Sequence, residues 1–143
     1  MSTNAETLLT GLTAEVALYQ SILAVSTEEL GLVKQAELEH ATQVLARKQS
    51  LLEDVAAIEN EIKPLKNEWP AIKATLTPEE KPKFAQTLKS LSDLLERLIA
   101  LERETEDVLG GQIAAVKKSP VTIAAEQRAK KAYGEQKERE GRK

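Results

Sequence analysis

Cysteine is absent from the 143-residue chain, and histidine occurs once, at His40. The first absence excludes a disulfide framework and thiolate metal sites. The second excludes the paired-histidine zinc sites. Aromatic residues make up only 3%, so a core must be packed with Leu, Ile, Val and Ala. Helix bundles manage this more easily than sandwiches or barrels. No run of 18 apolar residues occurs, so no segment is expected to span a membrane. The opening MSTNAETLLTGL lacks a basic region and carries Glu6, unlike a secretory signal; the protein is read as cytoplasmic. There is no glycine-rich phosphate loop, nucleophile elbow or EF-hand loop. His40, between Glu39 and Ala41, reads as a surface residue rather than a general base. Glu28-Glu29, Glu79-Glu80 and the Glu102/Glu104/Glu106/Asp107 group read as solvated helix faces. No enzymatic activity, cofactor or metal is expected.

What the chain does contain is charge, at 30% of residues, and a composition rich in Ala, Leu, Glu and Lys, as in long helices. The net charge of −3 is unevenly spread. Residues 1–111 hold 11 Lys/Arg against 19 Asp/Glu, a net of −8. Residues 112–143 hold 9 against 4, a net of +5. An acidic helical body (1–111) with a basic, Ala/Lys-rich C-terminal helix and tail (112–143) is the expected organisation.

Apolar spacing defines three long helices. From about Ala5 to Val33, the positions Leu9, Leu12, Val16, Tyr19, Leu23, Ser26, Leu30 and Val33 repeat at three and four residues, a heptad seam. From about Ala36 to Ile62, Leu38, Leu45, Leu52 and Val55 form a stripe that Ala41, Leu51 and Ile58 widen. The two segments are either one long helix with a local discontinuity or two helices meeting near Lys34–Ala36. With no proline and little turn chemistry there, a continuous or bent helix is favoured. Residues 63–83 hold four of the five prolines and are the expected main chain reversal, with Pro64 ending the second helix. Leu65, Trp69, Ile72 and Leu76 keep helical spacing inside it. Thr77-Pro78-Glu79-Glu80 reads as a helix start with a capping box. The third helix carries Phe84, Leu88, Leu91, Leu95 and Leu98, with Leu94, Ile99, Leu101, Val108 and Leu109 beside them, and is expected to stop or hinge at Gly110-Gly111. The expected fold is all-α: an antiparallel hairpin or bundle of three main long helices with a loosely held C-terminal helix.

The tail's basic residues could track phosphates. Glu126, Glu135, Glu138 and Glu140 are interleaved with them and Tyr133 alone could stack, so no nucleic-acid partner is expected. Residues 112–133 have no Trp or Phe, so no stable membrane insertion is expected either.

The order of parts resembles the FlgN family of flagellar export chaperones. The resemblance is carried by ATQVLARKQSLLEDVAAIE, within it Arg47-Lys48-Gln49-Ser50-Leu51-Leu52, by the proline-rich turn and third Leu-rich helix, and by Ala132-Tyr133-Gly134 in the Ala/Lys-rich end. It implies a type III export chaperone that binds the C-terminal helical segments of hook-associated flagellar proteins (FlgK/FlgL-like) and delivers them to the export gate. Under that resemblance, cargo would meet a groove of Leu91, Leu95, Leu98, Leu101 and Leu109 and an arm bearing Ile113, Val116, Val121 and Ile123. Tyr133 would dock at the gate. The bland reading of the same leucines is ordinary core. The alternative function is a structural coiled coil that self-assembles as a homo-oligomer through the Leu9–Val33 seam.

Overall fold

The computed structural model describes residues 3–115, and within them the protein is all-α, with no strand. Helix α1 spans Thr3–Lys34, α2 Leu38–Asn67, the short α3 Trp69–Ala74, and α4 Glu80–Ala115. The heptad periodicity accounts for the three long elements, since each carries an apolar stripe that only another helix can cover.

Helices α2 and α4 both pack along α1. Val33 meets Ala41, Leu45 and Leu109; Tyr19 and Ile22 meet Val55, Leu94 and Leu98; Leu8 and Leu12 meet Ile62 and Phe84. These pairings run α2 antiparallel to α1 and α4 parallel to it, an up-down-up bundle. The proximal end is the best filled. Ile72 of α3 and Leu76 close it over Ala5, Leu8, Leu12, Ile62 and Phe84, with the Trp69 and Phe84 rings 5.3 Å apart at 38°. Each such fully buried side chain contributes about 1.5–3 kcal/mol through burial.

The connection between α1 and α2 differs from the favoured continuous helix. Glu37 N–H donates to the Leu32 carbonyl at 2.9 Å and Ala36 N–H to the Val33 carbonyl at 3.0 Å, the two bonds of a Schellman cap. Ala36 takes the left-handed conformation that this cap requires, φ 59°. Alanine occupies the position usually held by glycine, which is why no turn was visible there. Chain reversal therefore happens twice, at 35–37 and again near 75–79, and most of the 63–83 segment is helical.

Two expected stops are not stops. Pro64 lies inside α2, which continues to Asn67. It sits on the exposed side of the last turns, where the ring meets solvent. Gly110 and Gly111 lie within α4, which continues to Ala115. Neither glycine has the positive φ of a helix cap. The start of α4 is as expected: Thr77 Oγ1 accepts from Glu80 N–H at 3.2 Å, and Glu80 Oε1 accepts from Thr77 N–H at 3.0 Å. That reciprocal box contributes about 1 kcal/mol and is buried with Glu80.

Candidate functional site

On α1, the buried positions are Ala5, Leu8, Leu12, Glu15, Tyr19, Ile22, Ser26, Glu29, Leu30 and Val33. Most of the expected seam, Leu12, Tyr19, Ser26, Leu30 and Val33, is buried as read. Elsewhere the stripe falls one residue earlier: Leu8, Glu15 and Ile22 point inward, while Leu9, Val16 and Leu23 are only half-buried, and Glu29 is buried beside Leu30. A helix flanked on two sides needs a stripe wider than a two-helix seam. That stripe is filled within the chain, which leaves the Leu9–Val33 seam little to offer a second copy.

Two features stand apart from ordinary core. The first is a polar layer between the middle and distal core clusters, to which each long helix contributes. Lys48 of α2 is fully buried. Its Nζ donates to Glu29 Oε1 of α1 at 2.8 Å and to Glu102 Oε1 of α4 at 2.7 Å. Ser26 Oγ donates to the same Glu102 oxygen at 3.3 Å. Thr105, buried one turn on, donates to the Leu101 carbonyl at 3.0 Å. Glu29 Oε2 is buried with no hydrogen-bond partner. Burial pushes the Glu29 carboxyl up from 4.5 to about 7; the Lys48 charge and hydrogen bond oppose this, and the Glu102 charge adds to it. The carboxylates expected on solvated faces are thus partly internal: Glu29, Glu80 and Glu102 are buried. Outside the layer, Arg47 donates to both oxygens of Glu28 at 3.0 Å, and Lys34 pairs with Glu104 at 3.1 Å. Both pairs are half-exposed and hold the helices by no more than about 1 kcal/mol each.

A buried lysine shared by two carboxylates fixes the register of three helices, because any slip strands a charge in the core. The layer has no access for a substrate. Among the described residues, no group of three or more His, Cys, Asp or Glu is arranged to hold a metal. His40 lies exposed, 3.5 Å from Glu37.

The second feature is apolar and faces outward. Among the described residues, Leu88 and Ile99 are the exposed large hydrophobics, at 40% and 39%. With half-buried Leu95 they share one face of α4, since seven and eleven residues are close to whole turns. Beside this ridge a groove of about 210 Å³ is lined by Leu8, Leu12, Lys66, Trp69 and Leu88.

The residues proposed from the sequence divide accordingly. Leu98 and Leu109 are core; Leu91, Leu95 and Leu101 are half-buried. Ile113 belongs to α4 by its backbone. Val116, Val121, Ile123, Tyr133 and the expected C-terminal helix lie outside the described residues. Sequence reasoning put Leu88 in the core stripe and Leu94 beside it; in the fold Leu94 is buried and Leu88 is exposed. It also missed Lys48, although the spacing Leu45-Lys48-Leu52-Val55 puts that lysine in the α2 stripe.

By length and composition α1 meets the criteria for a membrane-crossing helix, criteria that the core helix of a soluble protein and a signal segment also meet. In the fold its inward face, Glu15, Ser26 and Glu29 included, is covered by α2 and α4. Comparison of the chain with protein-family models, with curated proteins and with solved structures finds no match.

Proposed function

We propose that this protein is a cytoplasmic helix-binding chaperone of the flagellar type III export kind. It holds the amphipathic C-terminal helices of hook-associated proteins and hands them to the export gate. The observation that carries this reading is the α4 ridge, exposed Leu88 and Ile99 with half-buried Leu95 between them, beside a groove. An amphipathic helix laid along such a row buries apolar surface on both partners without unfolding the bundle. The resemblance of Arg47–Leu52 and Ala132–Gly134 to the FlgN family supports the choice of cargo, and the acidic body with a basic tail suits two separate contacts. The ridge moves the expected contact outward: Leu98 and Leu109 hold the bundle, while Leu88, Leu95 and Ile99 face the cargo; the arm residues Ile113, Val116, Val121 and Ile123 stay assigned to cargo by the resemblance alone. Tyr133 remains the residue assigned to the gate. The self-assembling coiled coil has less support, because the seam it needs is used within the chain.

The test is titration of fluorescent C-terminal peptides of hook-associated proteins with the full chain. Saturable binding is expected. Leu88→Asp with Ile99→Asp should weaken it by tenfold or more, as loss of central apolar anchors does, with the melting temperature nearly unchanged. Absence of binding to every such peptide would falsify the reading.

A further inference from the structure

The polar layer has a second property that register alone does not require. One lysine faces two carboxylates where the lysine and Glu29 are fully buried and the Glu102 side chain is 12% exposed. The groups acting on Glu29 are Lys48 from α2, from which it accepts, and Glu102 from α4, which shares that lysine and whose charge opposes its ionisation; Ser26 of α1 donates to Glu102. Glu28 and Arg47 are paired with each other on the outside. With Glu29 and Glu102 both ionised, the layer carries one uncompensated negative charge; a proton on Glu29 removes it. The unpartnered Oε2 is the oxygen free to take that proton, leaving Oε1 to accept from Lys48.

The two sides of the layer are held unequally. Proximally, α4 is anchored by Phe84, Leu94 and Leu98 in two core clusters. Distally, among the described residues, Leu109 is its one buried side chain in the small cluster with Val33, Ala41 and Leu45, with half-buried Val108 packed against it, joined by Thr105 and the half-exposed Lys34–Glu104 pair. An uncompensated charge in the layer is relieved most cheaply by hydrating Glu102, and that requires only the weakly held end to move.

We propose that Glu29, Lys48 and Glu102 form a proton-operated latch: protonated, it closes the bundle to its distal end, and ionised, it lets α4 from Glu102 onward part from the α1–α2 hairpin. Opening uncovers Val33, Ala41 and Leu45. The near-neutral titration of Glu29, at about 7, sets the working range. The sign follows from the folded value lying above the unfolded one. The distal end is tightest in mildly acidic solution and loosens as pH rises through neutrality. This inference does not depend on the chaperone reading.

The test is hydrogen exchange with mass spectrometry on the full chain at pH 5.5 and pH 8.5 (about one and a half units either side of the Glu29 value), corrected for intrinsic exchange rates. Protection of residues 102–111 is expected to be higher by on the order of tenfold or more at the acid pH, with residues 84–98 unchanged. Glu29→Gln, neutral at both pH values, should keep the distal end protected throughout. His40→Asn, which removes the only histidine, should leave the wild-type pH response intact. A carboxyl-carbon NMR titration of Glu29 in the wild type provides a reading that needs no variant to fold. Equal distal protection at both pH values, a change shared by residues 84–98, a response abolished by His40→Asn, or a Glu29 carboxyl that titrates below pH 5 would each overturn the latch.

Discussion

Lys48→Met tests how the bundle is held in register. Methionine keeps most of the lysine's length and apolar stem, so the substitution removes the ammonium and little volume. It withdraws the donor that two carboxylates share at 2.8 and 2.7 Å, in a site where the lysine is fully buried and Glu29 is 1% exposed. Breaking a buried ion pair from one side costs about 3–5 kcal/mol, chiefly because the remaining charge has no partner. Against a total stability of about 5–15 kcal/mol for a domain, that is enough to move a urea midpoint far down. The loss should be largest at neutral and alkaline pH and smaller near pH 5 (roughly one unit above ordinary carboxylate values). Without the ammonium, the carboxylates escape their penalty only by taking up protons, and a carboxyl raised above its unfolded value loses stability as pH rises. Urea unfolding followed by far-UV circular dichroism measures this, with an unchanged m-value showing that the same surface unfolds. Making the layer apolar, as Lys48→Met with Glu29→Leu and Glu102→Leu, should restore stability to the wild-type level or above it, by about 1–4 kcal/mol. A cost below about 1 kcal/mol for Lys48→Met, typical of a solvated pair, would refute the dry layer.

Two further substitutions test the backbone. Ala36→Gly should stabilise the protein by up to about 1 kcal/mol, because the φ of 59° strains an L side chain and not glycine; thermal melting checks it, and a fall in stability would remove the strained cap. Gly11→Ala and Gly31→Ala should act in opposite directions although both sit inside α1. A Cβ at Gly31 meets nothing within 4 Å, so alanine gains roughly 0.5–1 kcal/mol of helix propensity. A Cβ at Gly11 lies 2.5 Å from the branched Cγ2 of Ile62, so α1 and α2 must separate and the overpacking, about 1–3 kcal/mol, outweighs that gain. Equal effects of the two alanines would refute the close approach at Gly11.

The helices were legible where local chemistry and periodicity agreed. The α2 stripe through Ala41, Leu45 and Val55, the capping box at Thr77 and Glu80, and the span of α1 all follow from spacing and side-chain type. The missed features share one cause: the residue present was not the type that usually marks the structure. Ala36 occupies a left-handed cap without being glycine. Pro64 and Gly110-Gly111 look like stops, yet α2 runs on to Asn67 with Ile62 and Leu65 packed in the proximal core, and α4 runs on to Ala115. Glu29 and Glu102 look solvated one at a time, and only together with Lys48 do they become tolerable inside. A trace of this was present in the spacing. Leu45-Lys48-Leu52 and Leu98-Glu102-Thr105-Leu109 place opposite charges on two apolar stripes, with Ser26 already on the seam of α1. Reading charges for sign across stripes, rather than for exposure along one helix, would have brought the layer into view.

The geometry of α4 separates the two proposed activities along its length. Its inward row is apolar from Phe84 to Leu98, turns polar at Glu102 and Thr105, and regains one apolar anchor at Leu109. Its outward row, Leu88 to Ile99, ends before the polar layer begins. A helix docked on the outward row therefore rests on the part of α4 that the proximal and middle cores hold fixed. Such binding gains from preorganisation, since no ordering of the bundle opposes it. The distal end has the opposite character, because a segment that must open has to be drawn from the weakly held part of a fold. Proton uptake at Glu29 then alters what Val33, Ala41 and Leu45 offer without altering the ridge. A partner whose affinity is independent of pH between 6 and 8, about one unit either side of the Glu29 value, engages the ridge. A partner bound more weakly at the acid end competes with α4 for the hairpin.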